Sequence, residues 1–228
     1  MKYFSEILIE LIEGFGNTII LFAVTLLLAL PFGLLLAFGS MSNFKPLKWF
    51  IRSLVWVIRG TPLMLQILLI SFIPSYLFDT PTKELAAALH LSINATLFLF
   101  VIFAFALNYA CYFSEIYRAG IQSIPCGQYE AGRVLGLTKK QIFSKIVLAQ
   151  VIRRILPPMS NEIITLVKDT SLAQVLGVID LLNAAKYAVN RYVILTPFLY
   201  AAIFYLIFNG LLTIVLGWCE KKLSYYKV

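Results

Sequence analysis

Three polar residues within an apolar stretch offer the clearest chemistry in this sequence. Asn161, Glu162 and Thr165 lie at neighbouring or i+3 and i+4 spacing, so on a helix they would line a small polar site for a solute. Because an ionisable group among apolar neighbours is costly, it usually faces a cavity. Glu162 could equally be structural, either protonated or paired with Arg154 or Lys168. The sequence leaves both interpretations open.

Four further polar residues have gating or structural interpretations. Glu115 and Arg118 are three positions apart, which predicts an ion pair along a helix, with a gate as the alternative. Lys168 belongs to the segment Lys168-Asp169-Thr170, which should break the helix near the outer side of the membrane. Ser171, followed three residues later by Gln174, matches a capping box and predicts the start of the next helix.

Catalytic and metal-binding signatures do not occur in this sequence. It lacks the G-x-x-x-x-G-K-[ST] loop that cradles nucleotide phosphates. Its three cysteines and one histidine have no metal-ligand spacing, and no axial ligand pair for haem exists. We therefore predict no catalytic residue, metal or cofactor on this chain, so any energy source should lie on a partner.

The composition is that of a membrane protein. The chain is 61% hydrophobic and 13% charged, against roughly 25% charged residues in a soluble domain. A helix needs roughly 20 apolar residues to cross the hydrocarbon core. Long intervals between charged residues provide four such crossings, within 13–45, 59–79, 84–115 and 191–220.

The net charge of +8 fits a membrane topology better than nucleic-acid binding, because the basic residues cluster in segments 40–60, 118–154 and 221–227. If all three segments are cytoplasmic, a fifth crossing must lie between the second and third. We place it at about 155–167, where the 13 residues between Arg154 and Lys168 would span only about 20 Å. Five transmembrane helices result, with the N-terminus outside and the C-terminus in the cytoplasm.

The first residues, about 1–13, have an amphipathic pattern of their own. Glu6, Glu10 and Glu13 recur at helical spacing opposite apolar residues, which indicates an amphipathic helix over about 1–13 in the outer interface. The same acids argue against a cleavable signal peptide. Residues 1–228 are otherwise expected to form one transmembrane domain.

A polar segment at about 127–145 stands out from the apolar bundle. Residues 128–135 predict a short helix, and Gly136 suits the left-handed residue that ends it. Thr138 with Gln141 then forms a capping box that begins another helix. We call this helix, glycine turn and capped helix the bracket, because it predicts a rigid cytoplasmic corner on which a partner could act.

The bracket resembles the cytoplasmic loop of inner-membrane permease subunits of ATP-binding-cassette importers. Their pattern is E-A-A, three residues, G, nine residues and I-x-L-P, which matches here at Glu130, Ala131, Gly136, Ile146 and Leu148. Two positions depart from it, since Gly132 replaces the second alanine and Ala149 the proline. Relative to alanine, Gly132 should loosen the first bracket helix by up to about 1 kcal/mol.

Other segments are similar to the polar amino acid branch of these permeases, of the histidine, glutamine and arginine type. They are 59–66, 115–121 and 156–172, so the similarity covers most of positions 14–220.

The resemblance implies an all-α fold of the type I importer permease, in the bacterial inner membrane. It implies a second permease, identical or related, an ATPase that carries ATP and Mg, and an external solute-binding protein. A small polar amino acid would be the solute, membrane lipid would surround the bundle, and no nucleic acid would bind. The residues that would couple to the ATPase are Glu130, Ala131, Gly132, Arg133, Gly136, Leu137, Lys139 and Lys140.

Two rival functions belong to other classes. An ion-coupled secondary transporter or channel would use Glu162 as its ion or proton site, but inverted repeats, which favour that class, are not visible. A membrane enzyme or an assembly scaffold is the second rival, and the enzyme would require a catalytic cluster.

Overall fold

The computed structural model describes residues 3–223, and every regular element within that range is helical. The α-helices are α1 (Phe4–Ser40), α2 (Lys45–Arg59), α3 (Leu63–Phe78), α4 (Thr82–Ala88), α5 (Ile93–Gln122), α6 (Cys126–Val134), α7 (Lys139–Ile142), α8 (Leu148–Asp169), α9 (Leu181–Tyr192) and α10 (Thr196–Leu223). A π-helix, Phe143–Val147, joins α7 to α8, and a 3-10 helix, Thr170–Leu176, follows α8.

Three helices, α1, α5 and α10, are each long and apolar enough to cross a membrane. Two bent pairs also qualify when taken together: α2 with α3, bent by 112°, and Lys139–Leu176 with α9, bent by 55°. Counting each pair as one span gives up to five crossings. The predicted all-α membrane fold is confirmed.

Helix α5 lies at the centre of the bundle, where α1 packs along its length. Its largest fully buried side chains are Phe105, Tyr109 and Phe113. Many side chains of α10 and α3 are apolar and exposed, as expected of surfaces that face lipid. Helix α5 also buries polar side chains, among them Asn108 and Ser114.

The N-terminal segment differs from the expected separate interfacial helix over 1–13. Helix α1 continues through this region without a boundary, and only residues 1 and 2 of it lie outside the described part. Part of the apolar face of its first turns is covered by protein, since Ile7 and Leu11 are buried in a cluster with α9 residues, whereas Phe4 and Ile12 remain exposed. Glu10 pairs with Arg191 of that helix.

The expected short crossing at about 155–167 is corrected by the structure. Helix α8 has 22 residues, about 33 Å at 1.5 Å per residue, and contains both Pro157 and Pro158. Arg154 lies within α8 rather than at its end, and its guanidinium Nη1 donates to the backbone oxygen of Ser123. Hydropathy treated this charge as a boundary, whereas a protein partner allows it to lie within the bundle.

The predicted capping box of Ser171 and Gln174 is also corrected. No α-helix begins there, because a 3-10 helix continues directly from the end of α8 without a side-chain cap. The Ser171 hydroxyl instead donates to the Lys168 carbonyl oxygen at 2.8 Å. The next N-cap is Asp180, whose carboxylate accepts from the backbone N–H groups of Leu182 and Asn183 at the start of α9.

Candidate functional site

A sharp bend between α2 and α3 is held by the side chain of Gln66. Its amide nitrogen donates to the carbonyl oxygens of Ile58, at 2.7 Å, and Thr61, at 3.1 Å. Its amide oxygen accepts from Asn108 of α5, at 2.9 Å. Gln66 is buried and satisfied on both ends of its amide. This network fixes the bend against α5 and places the adjoining residues Arg59 and Thr61.

We expect Gln66→Leu to lower the free energy of unfolding by about 1–3 kcal/mol, because the buried Asn108 amide loses its Gln66 acceptor and the Ile58 and Thr61 carbonyls lose a donor. Thermal unfolding of the purified chain in nanodiscs measures this change. The double variant Gln66→Leu, Asn108→Leu should recover part of the loss. If the double variant loses as much stability as Gln66→Leu alone, or as much as the two single variants together, the role given to the Gln66–Asn108 bond is contradicted.

Two helix faces and the bend enclose a polar cavity of about 430 Å³, which we call the Asp169 cavity. Helices α5 and α8 supply most of its wall, and the start of α3 closes it. The side chains that line it are Thr61, Pro62, Leu63, Asn108, Tyr109, Tyr112, Glu162, Thr165, Asp169 and Leu172.

The structure separates the residues predicted to bind a solute. Glu162 and Thr165 line the Asp169 cavity, whereas Asn161 is exposed and is not part of its wall. Lys168 is also exposed, on another face of α8. The alternative pairing of Glu162 with Arg154 or Lys168 is not formed, since no such contact lies within 4.0 Å among residues 3–223.

Several residues of this cavity were missed from the sequence. Asp169 accepts a hydrogen bond from the Tyr109 hydroxyl at 2.7 Å, and Asn108 and Tyr112 stand beside that tyrosine on α5. Asp169 follows Glu162 by seven residues, or nearly two helical turns, which places both on one face of a helix. That spacing was the signal available in the sequence.

A second cavity of about 540 Å³, the Arg154 cavity, adjoins the first and shares Tyr112 and Glu162 with it. Its charged wall also includes Arg59, Glu115 and Arg154. The two cavities therefore follow one face of α8, with Glu162 between them.

The expected ion pair of Glu115 and Arg118 is present, and Arg118 Nε donates to Glu115 Oε1 at 2.9 Å. A second guanidinium approaches the same carboxylate, since Arg59 Nη1 lies 3.8 Å from Glu115 Oε2. Arg59 also lies over the Tyr112 ring, 5.0 Å from its centroid. Glu115 thus links the end of α2 to α5 beside the Arg154 cavity.

The bracket has the geometry that the sequence predicted. Gly136 is left-handed, with φ 72°, and its N–H donates to the Arg133 carbonyl oxygen at 2.9 Å. Thr138 and Gln141 form the reciprocal capping box. A residue of the first helix, Gly132, is buried against the second. The two short helices are therefore locked together at the turn.

The eight bracket residues predicted to couple to an ATPase do not all face outward. Gly132 is buried and Leu137 is partly buried in the core cluster. The others are exposed: Glu130, Ala131, Arg133, Gly136, Lys139 and Lys140. The sequence missed Val134 and Leu135, which are 87% and 74% exposed and add an apolar patch to this polar surface.

The flexible role expected for Gly132 is corrected. A Cβ at this position would lie 2.7 Å from Ile142 Cγ1, so the glycine permits close packing between the two bracket helices. Glycine at position 132 is therefore explained by the short distance between the two bracket helices rather than by helix propensity. The bracket is packed more tightly than the replacement of alanine by Gly132 suggested.

An apolar helical bundle that encloses polar cavities and carries a rigid polar bracket defines a membrane transport subunit. The chain belongs to the family of binding-protein-dependent transport system inner membrane components, whose family model matches residues 29–225. It is therefore a multi-pass inner-membrane protein.

Individual relatives agree with this family over nearly the whole chain. The L-cystine transport system permease protein TcyB of Bacillus subtilis is 37% identical over 217 residues, covering 93% of this chain and 86% of the relative. The putative glutamine permease GlnP of Rickettsia typhi is 33% identical, covering 98% and 96%. A solved structure of an amino acid ABC transporter with histidines has TM-score 0.80 at 30% identity, covering 96% of each chain.

Proposed function

We propose that this chain imports amino acids through the membrane, powered by ATP hydrolysis on a separate ATPase subunit that binds ATP and Mg. An external solute-binding protein would deliver the solute, and a second permease would complete the assembly. The N-terminus would lie outside and the bracket in the cytoplasm. The observation that carries this proposal is the bracket, a rigid surface outside the apolar core of the bundle.

The bracket is suited to transmit force from an ATPase. Its exposed surface combines the acid Glu130, the bases Lys139 and Lys140, and the apolar residues Val134 and Leu135. Apolar groups surrounded by charges are typical of protein interfaces. Because α7 continues through the π-helix into α8, displacement of the bracket would move the helix that carries Glu162.

Disruption of the glycine turn tests this coupling. Gly136→Pro imposes a φ near −65° where the turn needs +72°, and it removes the N–H that bonds Arg133, so we expect ATPase association to fall at least about tenfold. Co-purification of the candidate ATPase with each variant measures this. Gly136→Asn is the matched control, because asparagine tolerates the left-handed conformation and should keep association.

Undiminished association of Gly136→Pro would show that the bracket is not the docking element. Loss with Gly136→Asn as well as with proline would contradict the conformational reason, because asparagine retains the turn.

For the solute, we propose that the Asp169 cavity binds the cationic group of an amino acid, either an ammonium or a guanidinium. Glu162 and Asp169 both line it, and no Lys or Arg is among its lining residues. A carboxylate pairs with an ammonium or guanidinium group. The side-chain hydroxyl groups of Thr61 and Thr165 and the amide of Asn108 also line this cavity and would add hydrogen bonds.

The relatives named for cystine and glutamine, and the solved transporter with histidines, support an amino acid substrate. Uptake competition across the common amino acids tests the charge preference. Lysine and arginine should compete more strongly than glutamate, and the opposite order would overturn the cationic assignment while leaving the coupling proposal intact.

A further inference from the structure

We propose that the Arg154 cavity is a second station on the solute path, where Arg154 binds the α-carboxylate of the amino acid. This inference rests on the proposed function, because it assigns the Asp169 cavity to the cationic group of the same solute. The Arg154 cavity would then recognise the opposite end of a dipolar molecule.

The order of charges along α8 supports two stations. Asp169 and Glu162 line one of the two adjoining cavities, and Glu162 and Arg154 line the other. At 1.5 Å per residue, Glu162 lies about 10 Å along the helix from Asp169 and about 12 Å from Arg154. One helix face therefore presents two carboxylates followed by a guanidinium, which is the complement of a cationic group and a carboxylate.

Arg154 is available to bind an anion. In the described part of the chain its guanidinium makes no carboxylate contact within 4.0 Å, and it donates to the Ser123 backbone oxygen. Two carboxylates line this cavity, those of Glu162 and Glu115, and the Glu115 carboxylate already contacts Arg118 and Arg59. A guanidinium has five N–H donors, so one carbonyl partner leaves most of them for a ligand.

The two stations adjoin each other in the bundle. Tyr112 and Glu162 belong to both cavity walls, so these two side chains stand where the cavities meet. A solute whose cationic group stays near Glu162 could therefore extend its carboxylate toward Arg154. This would carry the molecule along α8 while its cationic group stays paired with Glu162 and its carboxylate gains a partner in Arg154.

A purely structural role for Arg154 makes a different prediction. Ser123 is the C-cap residue of α5, and a cation there stabilises the end of a helix. Such a cap would affect stability but would not distinguish ligands with and without a carboxylate.

The test compares L-arginine with L-argininamide, which lacks the carboxylate, at a pH where both α-amino groups are protonated. Binding is measured by calorimetry on the full-length chain in nanodiscs. We expect the wild type to bind arginine about tenfold more tightly than the amide. Arg154→Gln should remove that preference, and Arg154→Lys should retain part of it.

Lys221→Gln is the matched control, since this exposed cation of α10 lines neither cavity and its removal should leave the preference unchanged. An intact preference in Arg154→Gln would overturn this inference alone and reduce Arg154 to a helix cap. Failure of the wild type to bind either compound would overturn the proposed cationic site together with the second station.

Discussion

Glu162→Gln should reduce solute-stimulated ATP hydrolysis by about 10- to 100-fold in the assembled importer, because it removes the charge that binds the cationic group of the solute. The substitution keeps the size of the side chain. Glu162 lies on both cavities, so its charge acts wherever the solute passes between them. Hydrolysis is measured in proteoliposomes with and without saturating solute, and the basal rate should remain close to that of the wild type.

The control for this prediction is Glu13→Gln, which removes an exposed carboxylate of α1 that lines neither cavity. It should leave stimulation unchanged. Glu162→Asp keeps the charge on a shorter side chain and should retain part of the stimulation. Full stimulation and unchanged solute preference in Glu162→Gln would make Glu162 a structural carboxylate.

The bracket was predicted well because its geometry depends on local residue chemistry. A left-handed turn selects glycine, and a capping box requires two residues at fixed spacing. Gly136, Thr138 and Gln141 therefore carry most of the necessary information by themselves. The packing of Gly132 on Ile142 was missed, since it depends on how two helices approach each other.

The cavity was predicted less completely because it depends on helix orientation. Asn161 and Glu162 are adjacent in sequence, yet a rotation of about 100° per residue points their side chains in different directions. Only contact with α5 shows that Glu162, not Asn161, belongs to the wall. Asp169 was treated as part of a helix break, whereas α8 continues to include it.

The position of Arg154 within the bundle could not be predicted from hydropathy. Arg154 was taken as the charged end of a crossing, but the structure gives it a backbone partner from α5. A hydropathy profile cannot anticipate this contact, because Ser123 is distant in sequence. Arg154 also lines the cavity that Glu162 lines, so the boundary error and the missed second cavity have one cause.

Gly33→Leu should destabilise the chain by about 3 kcal/mol or more, because α1 and α5 approach too closely at this position for any side chain. A Cβ on Gly33 would lie 2.9 Å from both the Ala110 carbonyl oxygen and Phe113 Cβ. Backbone atoms of α5 cannot move away independently. The helices must separate, and α5 carries Asn108, Tyr109 and Tyr112 of the solute cavity.

Thermal unfolding in nanodiscs measures this loss, and arginine binding should weaken in the fraction that remains folded. Gly210→Leu is the matched control, because a Cβ at Gly210 of α10 meets no atom within 4 Å and should leave the unfolding temperature nearly unchanged. Similar unfolding temperatures for the two leucine variants would contradict the close α1–α5 contact. A lower temperature for Gly33→Leu with undiminished arginine affinity would show instead that the cavity wall on α5 holds its position independently of α1.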